Sequence, residues 1–156
     1  MLIILLRYLF FFITINAFIH FIKFKKINTN LFRGIPFLKL HEAILCKSIL
    51  INETILVDFV PAENNSIIDI VLGKTNNGKM RVFLLNNNLF YYDTQIYYML
   101  ENIPMQLLIT NDDFHLLQSK HLMYFIFYLK ETYKNKKYNL YNYNCKHFCK
   151  NILSSS

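Results

Sequence analysis

From Met1 to Ile22 the chain is almost continuously apolar, broken by Arg7, Asn16 and His20, and the run stops at Lys23-Phe24-Lys25-Lys26. A run of this length suits a tilted membrane-crossing helix, whereas a cleaved leader has a shorter apolar core and small residues before its cut site. The pattern predicts an N-terminal hydrophobic helix, a single-pass anchor with its basic flank over residues 1–26. A helix lying in the bilayer interface is the competing arrangement. The lysines after the run predict that the rest of the chain stays on the side where it is synthesised.

Beyond the anchor the period changes. Residues 27–37, with Asn28, Asn30, Gly34 and Pro36, read as a linker. His41 to Ser48 and Thr54 to Pro61 are short runs rich in Ile, Val and Leu on either side of Ile51-Asn52-Glu53, which predicts an antiparallel pair. Ile67 to Leu72 reads as a further strand, and Lys74 to Lys79 carries turn chemistry ahead of a strand over Met80 to Leu85. Tyr91 to Thr110 fits strand and helix equally. Phe114, Leu117, His121, Leu122, Phe125, Tyr128 and Leu129 recur at spacings of three and four, so a helix is predicted there with Asn111 or Asp112 as its N-cap. A last short helix is expected from Cys145 to about Leu153, inside a domain over residues 38–153, with residues 154–156 as a tail.

Composition narrows the class. The chain has 156 residues, of which 54% are hydrophobic and 17% aromatic, with three glycines and three prolines, so it predicts one packed, aromatic-rich α+β domain rather than disorder. The abundance of Ile, Asn, Lys, Phe and Tyr is the usage of AT-rich genomes, organelle genomes such as the plastid's among them. A net charge of +7 favours anionic neighbours such as membrane lipid, although a Lys-rich AT-biased composition produces the same charge without selection for binding. No zinc-finger spacing or helix-turn-helix pattern appears, so nucleic acid is not an expected partner. Gly-rich phosphate loops and Gly-x-Ser-x-Gly elbows are absent, and no cofactor is expected. Cys46, Cys145 and Cys149 lack the paired Cys-x-x-Cys knuckles of a zinc site and form no disulfide framework, so no metal is expected and a reducing compartment is the simpler setting.

The candidate chemistry sits at Tyr143-Asn144-Cys145-Lys146-His147-Phe148. A cysteine that follows Asn144 and opens a helix lies where unpaired backbone N–H groups and the helix dipole favour a thiolate. His41, about a hundred residues upstream, opens a strand and supplies a candidate base. Asp58, in Val57-Asp58-Phe59 on the next strand, can orient the imidazole if the strand register puts it on the face of His41. His147, two residues after Cys145, points away from it and is expected to make a structural hydrogen bond. Cys46 and Cys149 are expected to pack in the core, and His20, His115 and His121 have no motif around them.

Asn144-Cys145-x-His147-Phe148, preceded by Tyr138-Asn139-Leu140-Tyr141 and combined with the upstream strand that opens on His41, resembles the circularly permuted papain-like cysteine enzymes. These include the lecithin retinol acyltransferase family and the PPPDE-type peptidases. The resemblance implies a permuted papain-like domain with a small antiparallel sheet and helices. It also implies Cys145 as nucleophile, His41 as general base and Asp58 as the third group, where acyltransferase relatives tend to carry histidine. The activity implied is a cysteine hydrolase or acyltransferase acting on an acyl, peptide or lipid-linked substrate through an acyl-enzyme. The competing class is a non-catalytic, membrane-anchored binding or assembly domain of the same fold.

Overall fold

The computed structural model describes residues 19–29, 41–62, 66–85, 105–107 and 116–155. The strands are β1 (Ile22–Thr29), β2 (His41–Ser48), β3 (Thr54–Pro61), β4 (Asn76–Leu85), β5 (Met105–Leu107) and β6 (Lys137–Tyr138). The helices are α1 (Ile67–Val71), α2 (Lys120–Tyr133) and α3 (Cys145–Ser155). Spatial order in the sheet is β1-β2-β3-β4-β5, every neighbouring pair antiparallel, with β6 added beside β4. The chain is thus α+β around a small antiparallel sheet, as its sequence predicts.

The β2–β3 hairpin forms with Ile44 opposite Val57 and Lys47 opposite Thr54. Both strands are buried on both faces over most of their length, which is why they read as unbroken apolar runs rather than alternating ones. One face carries Ile44, Cys46, Ile55, Val57, Phe59 and Val82 against α2 and α3. Phe59, fully buried, is the centre of this core: its ring meets Tyr133, Tyr138, Tyr143 and Phe148 at centroid distances of 5.8–6.0 Å. Gly78 on β4 lies under this ring, and a Cβ there would run into it. The turn chemistry of Asn76-Asn77-Gly78 is therefore used inside a strand, where glycine admits a close approach.

Three further elements differ from the sequence expectation. The basic flank and the first residues of the expected linker are an edge strand, β1, which pairs with β2 from Ile22 opposite Ser48 to Thr29 opposite His41. Its lysines suit an edge, where charge discourages pairing with another chain. Ile67 to Leu72 is not a strand but the one-turn helix α1, which buries Ile70 and closes on Gly73 at φ 74°. The α2 helix begins at Lys120, not near Asn111. Its N-cap is Ser119, whose hydroxyl accepts from the Leu122 N–H, and Glu53 on the β2–β3 connection accepts from the Gln118 and Ser119 amides. A carboxylate 65 residues away in sequence thus sets where the helix starts, overriding the local signal.

Of the expected N-terminal helix over Met1 to Ile22, residues 1–18 lie outside the described residues, whereas Ile19 and Ile22 at its end are buried in the domain core and Ile22 opens β1; most of Tyr91 to Thr110 also lies outside the described residues. Among the described residues no helix is long and apolar enough to cross a membrane.

Candidate active site

Cys145 is the first residue of α3, and the helix start is built by Asn144. The Asn144 carbonyl accepts the Phe148 N–H, the first helical bond, while its side-chain oxygen accepts from the Lys146 amide at 2.9 Å and its amide group donates to the Leu140 carbonyl. This is an N-cap that also fastens the helix to the loop before it. The loop is held by Asn139, whose side-chain oxygen accepts from the Tyr141 and Asn142 amides and whose nitrogen donates to the Gly73 carbonyl. Asn-rich alternation before the cysteine therefore encodes a rigid delivery loop. His147 bonds back to Asn144 and stacks on Tyr143, the structural role expected of it.

His41 opens β2. The β2–β3 ladder ends at Ile44 and Val57, so the start of β2 pairs with β1 alone and its other side is left open to α3. There the Glu42 amide donates to the Cys145 Sγ at 3.4 Å. The Cys145 thiol, held beside the start of β2 by that bond, also acts electrostatically on the His41 imidazole. The His41 Nε2 meets Asp58 Oδ2 at 3.0 Å. The register answers what sequence left open: continuing the ladder puts Asp58 opposite Ala43, hence on the His41 face, one diagonal step away.

The residue that sequence reasoning missed is Arg81. It stands opposite Asp58 on β4 and binds it in two-pronged fashion, Nε to Oδ1 at 2.9 Å and Nη2 to Oδ2 at 2.5 Å. Cys145, His41 and Asp58 are all buried, at 2%, 2% and 3% exposure, whereas the Arg81 side chain reaches solvent. The result is a hydrogen-bonded row of imidazole, carboxylate and guanidinium from β2, β3 and β4, with the thiol of α3 brought to its β2 end by the Glu42 amide.

Its electrostatics are mutually supportive. Burial works against a charged imidazole, but the hydrogen bond and charge of Asp58, with Cys145 adding to them, outweigh it and raise the His41 pKa to about 9. For Asp58, burial favours the neutral acid, yet hydrogen bonds and charge from His41 and Arg81 prevail and hold the carboxyl below its usual range. Cys46 and Cys149 differ: both are fully buried, and burial pushes their thiols up, which fits packing rather than chemistry.

Compared with known proteins, the chain matches no family model, and no curated protein or solved structure resembles it to a significant degree. The functional reading therefore rests on the residues themselves. Among the described residues no cluster of His, Cys, Asp and Glu is arranged to hold a metal ion.

Tyr138 on β6 is a second group that sequence reasoning did not single out. Its hydroxyl is buried with no hydrogen-bond partner among the described residues, and burial, reinforced by the neighbouring Cys145, pushes its pKa up to about 12. The phenol is thus a protonated donor near the thiol. Tyr138→Phe is expected to raise stability by about 1 kcal/mol, read from the urea midpoint, because an unoffset desolvation is removed. A drop in stability would show that the hydroxyl is bonded after all.

Proposed function

We propose that the chain is a cysteine-dependent hydrolase or acyltransferase acting on an amide, thioester or ester, with Cys145 as nucleophile, His41 as acid and base, and Asp58 as the group that orients and charges the imidazole. The observation that carries this reading is the convergence of these three side chains from three separate elements. A permuted papain-like arrangement, histidine first on a strand and cysteine last at a helix start, is the fold-level part of the same proposal.

The mechanism follows from the geometry. With His41 already the imidazolium at neutral pH, Cys145 reacts as the thiolate beside it, and the thiolate attacks the substrate carbonyl carbon. The oxyanion that forms lies at the N-terminal end of α3. With the Lys146 amide engaged by Asn144, the Cys145 amide is the helix donor nearest the reacting carbon. The imidazolium then gives its proton to the departing nitrogen, sulfur or oxygen, leaving a thioester on Cys145. A water or a second acceptor, deprotonated by His41, attacks that thioester and regenerates the thiol. Asp58 stays ionised throughout, because Arg81 faces it from the other side.

The deciding experiment is modification of the full chain by a small thiol reagent across pH, with the labelled residue located by mass spectrometry. Cys145 is expected to react quickly from pH 6 to pH 8, with Cys46 and Cys149 slow. In His41→Ala the Cys145 rate at pH 6 is expected to fall about a hundredfold, since the imidazolium that would hold the thiolate is gone. Equal rates in both proteins would remove the activated cysteine and with it the enzyme.

One observation favours a second reading, a non-catalytic binding domain. Cys145 is only 2% exposed, whereas a cavity of about 240 Å³ opens between β1, α2 and α3, lined by Phe24, Phe125, Leu129, Tyr133, Tyr143 and Ile152 and by none of the three reactive side chains. Slow thiol chemistry would move the weight to that cavity.

A further inference from the structure

The turn between β2 and β3 is apolar where turns are ordinarily polar. Ile49, Leu50 and Ile51 are 51%, 61% and 37% exposed, and Phe21 beside them is 40% exposed. They form one surface: the Ile49 amide donates to the Phe21 carbonyl at 2.9 Å, and the turn is fixed by Ser48 N–H to Glu53 and Ile51 N–H to the Ser48 hydroxyl. Phe21 stacks on His121 at 4.8 Å, but among the described residues Ile49 and Leu50 of this apolar knob stay more than half open to water, an exposure that has a cost.

Three observations say what covers it. The chain enters β1 at this end of the sheet, since Ile22 pairs with Ser48, so the apolar run over residues 1–22 leads directly into the knob. Exposed Lys23 and Lys120 flank it, on the first residues of β1 and α2. The acidic residue on the connection, Glu53, has both carboxylate oxygens turned to the Gln118 and Ser119 amides, so its charge faces a helix start rather than the surface. Aliphatic and aromatic side chains flanked by lysines are the composition of a surface that enters the headgroup region of an anionic bilayer.

We infer that the β2–β3 turn, with Phe21, is a second membrane contact that docks the domain end-on against an anionic lipid surface. The inference rests on the reading of the apolar run over residues 1–18 as a membrane segment, and it adds an orientation. His41 stands at the opposite end of β2, seven residues from Ser48, which at about 3.3 Å per residue places it roughly 23 Å from the docked end. Cys145 is held at that same far end by Glu42. The bilayer therefore faces away from the thiol, and the group it acts on is carried in the aqueous phase, as on a peptide or protein, rather than at headgroup depth.

The chain contains no tryptophan, so a single substitution reports its own surroundings. The test uses the full chain carrying L50W, and separately L72W, reconstituted into phosphatidylcholine–phosphatidylglycerol vesicles. Leu72 follows α1 at the opposite end of the sheet and is 67% exposed, so it controls for apolar exposure alone. With bromines in the upper acyl chain, the depth of about 5–10 Å that an interfacial apolar tip reaches, L50W is expected to lose roughly half or more of its emission and L72W to keep it. If the chain fails to float with vesicles, the anchor and the docking surface both fall. If it floats but L50W is quenched by aqueous acrylamide and not by bromolipid, the docking surface alone falls. Shielding of L50W from both quenchers would assign the knob to protein, either residues 1–18 or a second copy, and would equally overturn the inference. None of these outcomes bears on Cys145, whose reactivity is read separately.

Discussion

Asp58→Ala is expected to destabilise the fold by about 3–5 kcal/mol, because it strands His41 and Arg81 around a buried site that their shared carboxylate neutralised. The loss has a pH signature. The folded pKa of His41 lies above its unfolded value of about 6.5, so the contribution of this pair is complete below that pH and disappears as pH rises through about 9. Asp58 is shifted the other way, so its contribution is present above about pH 4 and disappears as pH falls below the ordinary carboxylate range. Wild-type stability should therefore hold between roughly pH 4 and 6.5 and decline toward pH 9 by about 3 kcal/mol at most. Asp58→Ala should flatten the alkaline decline, since burial then pulls the imidazole toward its neutral form. Urea midpoints at pH 5, 7 and 9 decide the matter. A wild-type midpoint that does not move between pH 6.5 and 9 would mean that the imidazolium is not held by the fold.

Phe59→Ala should be comparably severe, about 3–5 kcal/mol, since it opens a cavity at a ring surrounded by four aromatic neighbours. The effect is also expected at the thiol. Tyr138, Tyr143 and Phe148 belong to the segments immediately before and after Cys145, and Phe59 follows Asp58 on β3, so the same ring holds both halves of the candidate site in register. Phe59→Leu, which keeps most of the volume, should cost under about 1.5 kcal/mol and restore most of the Cys145 modification rate. Chemical denaturation followed by circular dichroism, paired with thiol labelling, separates the two effects. If Phe59→Ala unfolds at the wild-type midpoint, the core is not centred on this ring.

The legible parts of the sequence are those written in local signals. Apolar runs on either side of a polar turn gave the β2–β3 hairpin, and Asn144 ahead of Cys145 marked the start of α3 because an N-cap acts on amides two residues away. His41 was recognisable as a strand opening, and whether Asp58 faced it was reducible to one question of register. Arg81 was not legible, because its value comes from standing across a ladder from Asp58, 23 residues away, and nothing in Lys79-Met80-Arg81 marks it. The start of α2 was misplaced for a related reason: Asn111-Asp112 are good caps locally, but Glu53 supplies the acceptor from the other side of the fold. Ile67 to Leu72 misled because β-branched residues favour strands wherever packing is silent, and here Gly73 and the burial of Ile70 decide for a helical turn. Lysines concealed β1, an edge strand whose charges read as a membrane flank.

The sheet is built from neighbours in sequence: β1 to β2, β2 to β3 and β3 to β4 each close a short or moderate loop. The contact of Glu42 with Cys145 spans 103 residues. Loop-closure entropy makes the first kind of contact fast and the second slow, so the meander is expected to collapse before α3 docks against the open start of β2. An unfinished chain would then carry a formed histidine strand and an ordinary, unactivated cysteine, and the activation proposed for Cys145 would appear only with the last cooperative step of folding. On the proposed mechanism, rapid modification at pH 6 is in that sense a built-in reporter of completed folding, absent from every partially folded form that lacks the final helix.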